Sequence, residues 1–273
     1  MSTLYLVATP IGNLDDISLR ALEILRQVKW IAAEDTRHTG RLLRHFNIQT
    51  SMISFHEHSK PGKLSQLVEL LDQGDLALVS DAGTPVISDP GYELVQKALS
   101  AGHQVSPIPG PSAPISALVA SGLPSDKFLF LGYLPRKSSD RRQVLGEAAG
   151  LPYTLVFFET PHRLQSALTD LLEELGNRDM AVGREITKLH EEFFRGPISS
   201  ALTHFTNTPP RGEITLVIAG FPRETPIWSE EQVLSAIKEL KNEGTPPVQI
   251  ASQLASESSW PRRKIYLLIT EMD

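Results

Sequence analysis

Leu76–Tyr92 reads LALVSDAGTPVISDPGY. Its first four residues form an unbroken apolar run of the kind that makes a strand buried on both faces of a parallel sheet. Ser80-Asp81 ends the run, and a loop rich in Gly, Thr and Pro follows. A second acid, Asp89, precedes Pro90-Gly91, and a helical pattern extends from Tyr92 to Leu99. Small residues let a ligand approach the backbone, and two carboxylates accept hydrogen bonds from ribose hydroxyls or amines. In open α/β sheets ligands bind outside the carboxyl ends of strands, where this loop would lie. Most strand–helix connections are shorter than this one, which favours a site over a plain connection.

Three flanking stretches repeat the pattern. Leu4–Ala8 reads as a buried strand followed by the turn Thr9-Pro10-Ile11-Gly12-Asn13-Leu14, and Asp16 is placed to cap a helix over Ile17–Val28. Trp30–Ala33 ends in Glu34-Asp35-Thr36-Arg37-His38-Thr39, which reads both as a polar site and as a cap for a helix through Gly40–Phe46. Gln104–Ile108 leads into Pro109-Gly110-Pro111-Ser112-Ala113, where Ser112 is positioned to cap the helix that follows. Neither a G-x-x-x-x-G-K-[ST] phosphate loop nor a G-x-G-x-x-G fingerprint occurs, which weakens a nucleoside-triphosphatase or conventional dinucleotide reading.

The second half opens with Phe128–Tyr133 and continues through Thr154–Phe158, Met180–Val182 and Glu213–Ala219 as apolar strands. Charged groups recur at their ends: Glu159-Thr160-Pro161-His162-Arg163 and Gly183-Arg184-Glu185-Ile186-Thr187-Lys188. These read either as site residues or as surface ion pairs of little energetic weight. Arg136–Arg142 holds four basic residues and one acid in seven positions, a candidate for phosphate contact or a solvated helix start. Beyond a linker at Phe221–Trp228, the chain reads as three short helices of helix-turn-helix type, the first capped by Ser229. Arg262-Arg263-Lys264 is the one basic cluster there, placed either for RNA or for packing against the body.

At 273 residues, with 41% hydrophobic and 21% charged residues, the chain is expected to form two domains and an appendage. No apolar run approaches a membrane span, and the N-terminus lacks the basic start and apolar core of a signal peptide, so a cytoplasmic protein is expected. The absence of cysteine excludes disulfides and thiolate metal sites. His56 and His58, two apart, lack an evident third ligand, and no metal is expected. The net charge of −6 argues against broad electrostatic binding of nucleic acid and leaves room for a local basic groove.

Taken in order, LYLVATPIGNL (Leu4–Leu14), AEDTRHT (Ala33–Thr39), SDAGTPVISDPG (Ser80–Gly91), PGPSA (Pro109–Ala113), FETPHR (Phe158–Arg163) and REITK (Arg184–Lys188) resemble the small-subunit ribosomal RNA methyltransferase I family of the tetrapyrrole methylase superfamily. Thr9-Pro10-Ile11-Gly12-Asn13 replaces the superfamily's glycine-rich first loop, a departure typical of the rRNA branch. The resemblance implies a two-domain α/β fold of the class III methyltransferase type, with residues 1–121 and 122–221 holding S-adenosyl-L-methionine between them and residues 222–273 as a linker and helical module. It implies a homodimer that transfers a methyl group to the ribose 2′-hydroxyl of a cytidine in the decoding region of 16S rRNA; the alternatives are a small-molecule C-methyltransferase acting on a corrin precursor and a non-catalytic rRNA-binding assembly factor. By the same resemblance, Pro10, Ser80, Asp81, Gly83, Thr84, Ser112, Ala113 and Phe158 line the donor pocket.

A 2′-hydroxyl is a poor nucleophile near neutral pH, so transfer needs alignment and help with the proton. Glu159, Glu185 and Lys188 are the candidates for that help, with Asp35 a further possibility; a lysine would have to be desolvated to act as a base. Asp35, Arg37, Arg136, Lys137, Arg141 and Arg142 are the candidates for RNA contact.

Overall fold

The computed structural model describes residues 2–56, 61–222 and 228–272, which divide into two compact units, Met1–Phe221 and Pro222–Asp273. In the first unit the chain runs β1 (Thr3–Val7), α1 (Leu19–Gln27), β2 (Trp30–Ala33), α2 (Thr36–His45), β3 (Ser51–Ser54), α3 (Pro61–Leu71), β4 (Leu76–Val79), α4 (Tyr92–Ser100), β5 (Gln104–Ile108) and α5 (Ala113–Ser121). The five strands form one parallel sheet in the order β3-β2-β4-β1-β5. As its apolar run predicts, β4 is central, and all four of its residues are buried. Alternation along the strand sends Leu76 and Leu78 to the face covered by α3 and α4, and Ala77 and Val79 to the face covered by α1 and α2.

The chain then continues through β6 (Phe128–Tyr133), α6 (Ser138–Ala148), β7 (Thr154–Glu159), α7 (Pro161–Leu175), β8 (Asp179–Arg184), β9 (Glu192–Pro197), α8 (Ile198–Asn207) and β10 (Ile214–Ile218). These strands form a mixed sheet in the order β6-β7-β10-β8-β9, parallel only between β6 and β7. The last strand in sequence, β10, is central and buried throughout. Leu155, Phe157, Leu216 and Ile218 pack under α6, α7 and α8. On the opposite face Val156, Ala181 and Val217 meet Ala117 and Leu118 of α5 and Ile11 from the loop after β1. Helix α5 therefore packs on the second sheet, although it follows directly from the first.

Two strands depart from the sequence reading. Neither β3 nor β9 contains a fully buried residue, so each lacks the apolar signature of its neighbours. The cap of α1 also differs: Asp16 lies in a 3₁₀ turn at Leu14–Asp16, and Ser18 accepts the Ala21 N–H at 3.1 Å. Asp35 caps α2 as expected, accepting the Arg37 N–H at 2.8 Å. Ser112 occupies the cap position of α5 without a side-chain hydrogen bond to it. Of the two histidines considered for a metal, His58 lies outside the described residues, as do 223–227 of the linker.

The second unit consists of α9 (Glu230–Asn242), α10 (Pro247–Ser258) and α11 (Arg262–Glu271). Ser229 and Gln232 form a reciprocal capping box at the start of α9. Val233, Ile237, Ile250, Leu254, Ile265 and Ile269 make its core. Among the described residues no helix is long and apolar enough to cross a membrane.

Candidate active site

The loops after β1, β2, β4 and β5 meet at the carboxyl edge of the first sheet. The first and third are joined by a two-way backbone bridge: Thr9 N–H donates to Gly83 O at 2.9 Å and Gly83 N–H to Thr9 O at 3.0 Å. Gly83 sits at φ +80°, and a Cβ there would approach Ile11 Cγ2 to 3.3 Å, so the bridge needs glycine on conformation as well as space. Thr84 Oγ1 donates to Pro111 O at 3.3 Å and ties the loop to the turn after β5. Val86 and Ser88 hold φ +76° and +62° without being glycine. A β-branched residue in that region is an outlier of the kind that clusters at binding loops.

Two adjoining cavities open around this loop. The first, about 300 Å³, is lined by Asp81, Gly83, Thr84, Ser112, Ala113 and Phe158, six of the eight predicted donor-pocket residues. Glu34, Asp89, Tyr133, Thr215 and Glu213 join them. The second, about 370 Å³, is lined by the other two, Pro10 and Ser80, together with Gly12, His38, Arg41 and Lys188. Ile11, Asp81, Ala82 and Glu213 belong to both and form the partition. Both volumes are within the range of small-ligand sites.

The first cavity is acidic. Asp81 Oδ1 accepts the Asp35 N–H at 3.0 Å, and the Asp81 N–H donates to Glu34 Oε2 at 3.4 Å. Burial pushes the Asp89 carboxyl up to about 6; a hydrogen bond from Ser80 works against this, and the charges of Glu34 and Asp81 add to it. Tyr133 is also shifted up, by burial and then by the carboxylates of Glu213, Asp89 and Glu159, so its hydroxyl stays protonated. Its ring lies 5.2 Å from that of Phe158, which contacts Phe130 at 5.1 Å. Carboxylates beside an aromatic wall suit a ligand with a cationic centre and a flat base, such as a sulfonium-bearing nucleoside.

The three candidates for handling the proton fare differently. Glu159 lines the first cavity, but its side chain is 0% exposed and paired with Arg163 at 3.0 Å. Its Oε1 accepts the Thr160 N–H at 2.7 Å. The Glu185 Oε1 accepts from Lys188 Nζ and from the Glu213 N–H, both at 2.9 Å. Burial would raise the Glu185 carboxyl, yet these two donors leave it below its ordinary value. Lys188 reaches the second cavity paired with Glu185 at 2.9 Å and Glu213 at 3.2 Å. Burial alone would lower its ammonium, but the two carboxylates carry it above the ordinary lysine value, so Lys188 is charged at neutral pH. The desolvated neutral lysine that a base requires is not what this pocket makes.

Of the residues predicted to meet RNA, Asp35 and Arg37 pair with each other at 2.7 Å, with the arginine side chain 91% exposed. Arg136 and Lys137 are exposed. The expectation for Arg141 needs correction. Arg141 is 3% exposed, its guanidinium 2.5 Å from Asp170 on α7. Arg142 pairs with Asp170 at 3.1 Å and with Glu173, and its side chain is 42% exposed. Glu34, Tyr133 and Glu213 are not among the residues that the sequence assigns to a pocket; Asp89, whose carboxylate the sequence reading offers to a ligand, lines the cavity with them. Glu34 and Asp89 lie within motifs the sequence singles out, whereas nothing local distinguishes Tyr133 or Glu213.

Residues 3–202 match the family model described as Tetrapyrrole (Corrin/Porphyrin) Methylases. The chain is 49% identical to a ribosomal RNA small subunit methyltransferase I of Synechocystis sp. over 100% of its own length and 99% of that protein. It is 45% identical to the one from Halalkalibacterium halodurans, over 97% of this chain and 93% of that one. The crystal structure of the methyltransferase CobJ superposes with a TM-score of 0.61 at 15% identity, covering 81% of this chain and 95% of that one, a likeness of fold. With a matching family model over most of its length and near-full-length relatives at this identity, the chain is a methyltransferase and belongs to the ribosomal RNA small subunit methyltransferase I family, within the tetrapyrrole methylases.

Proposed function

We propose that the protein transfers a methyl group from S-adenosyl-L-methionine to the ribose 2′-hydroxyl of a cytidine in the decoding region of 16S rRNA, acting as a cytoplasmic homodimer. The names of its relatives support an rRNA substrate, and the family supports the donor. The observation that carries the reading is the pair of cavities sharing one wall, with the expected donor residues around them. The first cavity takes the donor. Asp81, Asp89 and Glu34 face its cationic groups, Gly83 allows close backbone approach, and Phe158 with Tyr133 flanks its base. When bound, the donor supplies an activated methyl group, which needs no metal for transfer. The second cavity takes the acceptor nucleotide, which must be splayed out of any helix to enter.

Alignment across the partition is then the main task of the protein. Lys188, charged and held by Glu185 and Glu213, donates a hydrogen bond to the acceptor and orients its hydroxyl; as the O–CH3 bond forms the S–CH3 bond breaks, S-adenosylhomocysteine leaves, and the hydroxyl proton passes to solvent. Glu185 acts by positioning Lys188. Glu159 fixes the turn from β7 into α7 through Thr160 and Arg163. In this scheme residues 1–121 and 122–221 contribute opposite walls, while Arg136 and Lys137 contact phosphates.

The test is calorimetry with S-adenosyl-L-methionine, followed by tritiated methyl transfer to undermethylated small subunits and to naked rRNA, with nucleoside digestion of the product. Donor binding and labelled 2′-O-methylcytidine are expected, and Asp81→Ala is expected to weaken donor binding with the fold intact. Label on a base, or none on RNA, would overturn the reading.

A further inference from the structure

Helix α2 divides its residues by charge without exception. Thr39, Leu42 and Leu43 are buried against the first sheet, whereas Arg37, His38, Arg41, Arg44 and His45 are exposed. The exposed positions follow the i, i+4, i+7, i+8 spacing of a single helical face. No acid occurs within the helix, although Asp and Glu outnumber Lys and Arg by 32 to 26 over the whole chain. A solvated helix face ordinarily mixes both signs, and this one does not.

The side chains are also available. Arg44 donates its Nε to the Gly40 carbonyl at 3.1 Å, and Arg41 Nη2 lies 3.1 Å from His38 Nδ1. Neither Arg41 nor Arg44 has a carboxylate partner among the described residues. Arg37 is the exception, held by Asp35. The face is continuous with a cavity: His38, Thr39, Arg41 and Leu42 form one wall of the second cavity, and Lys188 and Glu213 belong to its other side. Arg41 and Arg44, three residues apart, are separated by roughly 4.5 Å along the helix axis, and their long side chains can reach neighbouring phosphates of an extended strand.

We infer that the exposed face of α2 is the phosphate track for the RNA strand, with Arg41 at the mouth of the acceptor cavity and Arg44 one turn further out holding the phosphates beside the inserted nucleotide. The inference rests on the proposed RNA methylation and adds the surface that delivers the strand. The occupant is single-stranded RNA, because a regular polyanion complements an all-basic face and a splayed nucleotide is what the cavity receives.

The test uses the full chain carrying R41Q/R44Q and undermethylated small subunits as ligand, titrated across a salt series. Two lost phosphate contacts should lower affinity on the order of tenfold near 0.15 M salt and flatten the log–log salt slope by about 1 to 2. Donor affinity by calorimetry should be unchanged, and R41K/R44K, which keeps the charge, should restore most of the slope. A wild-type slope in R41Q/R44Q, or no recovery in R41K/R44K, overturns the track while leaving the methylation reading in place. A wild-type protein that labels no RNA overturns the methylation reading, and the track with it.

Discussion

Helix α2 carries Arg37, Arg41 and Arg44; helix α6 and the turn before it carry Arg136, Lys137, Arg141 and Arg142. In α6 the two arginines inside the helix turn toward α7. Asp170 receives Arg141 Nε at 2.7 Å, Arg142 Nε at 3.1 Å and the Ser138 hydroxyl at 2.9 Å, and is itself 3% exposed. In α2 no acid on a neighbouring helix answers Arg41 or Arg44 among the described residues, and they remain at the surface. The denser basic cluster in sequence is thus half structural, and the sparser one is open to a ligand. What separates them is Asp170, 29 residues from Arg141, in one case and, among the described residues, no acid that answers Arg41 or Arg44 in the other.

Breaking the closed cluster should have the largest effect. Asp170→Asn leaves a buried guanidinium without its counter-charge and is expected to destabilise the first unit by about 3–5 kcal/mol, read by urea unfolding. Burial would raise the Asp170 carboxyl, but Ser138, Arg141 and Arg142 hold it below the ordinary value. Its contribution is therefore complete above the unfolded carboxylate value of about 3.9 and is lost as pH falls through the lower folded value. Asp170→Asn should remove that part of the acid dependence; an unchanged acid limb would show that the pair contributes nothing.

The open cluster is expected to act on RNA alone. Against the roughly tenfold loss for R41Q/R44Q, R136Q/K137Q should lose less, because neither residue lines a cavity, and both pairs should unfold at the wild-type urea concentration. An R136Q/K137Q loss equal to or larger than that of R41Q/R44Q would reverse the assignment of the two helices.

The same contrast between an enclosed and an open charge separates Asp89 from Asp35. Asp89, raised to about 6 by burial and by its acidic neighbours, should lose its charge as pH falls through that value. Affinity for the cationic donor should then fall by a few-fold between about pH 7 and pH 5. Asp89→Asn should bind more weakly at neutral pH with a shallower pH profile. Asp35, held below the ordinary range chiefly by its hydrogen bonds with Arg37, stays charged throughout.

The smallest effect concerns Arg37. Asp35→Asn keeps a competent helix cap and removes the charge that neutralises Arg37. A gain in RNA affinity of about two- to fourfold with a steeper salt slope is expected, measured in the same salt series. A loss of affinity would instead mean that Asp35 contacts the RNA directly.

Much of this arrangement can be read from the chain, and the failures share a cause. The strands of the first sheet are evident because parallel strands are buried on both faces and appear as apolar runs. The donor loop is evident because a ligand needs small residues at a strand end. At Arg141 a local window counts charge without seeing Asp170 on the next helix. Strand β9 is an edge with no fully buried side chain, so no apolar run marks it. Tyr133 and Glu213 reach the first cavity only when β6 and the end of the loop before β10 are brought against the first sheet's loops, a distance no local pattern spans.

The position of α5 has a consequence for synthesis. The strands of the first sheet are complete once Ile108 has been made, and α5 follows immediately. Its buried Ala117 and Leu118, however, have their partners on β7, β8 and β10, and β10 is both the centre of its sheet and the last strand to emerge. A nascent chain therefore carries a finished parallel sheet and an uncovered apolar helix for about a hundred residues of translation, some 5 to 20 seconds at ordinary elongation rates. For that interval the surface that will later pack the two halves together has no partner yet made.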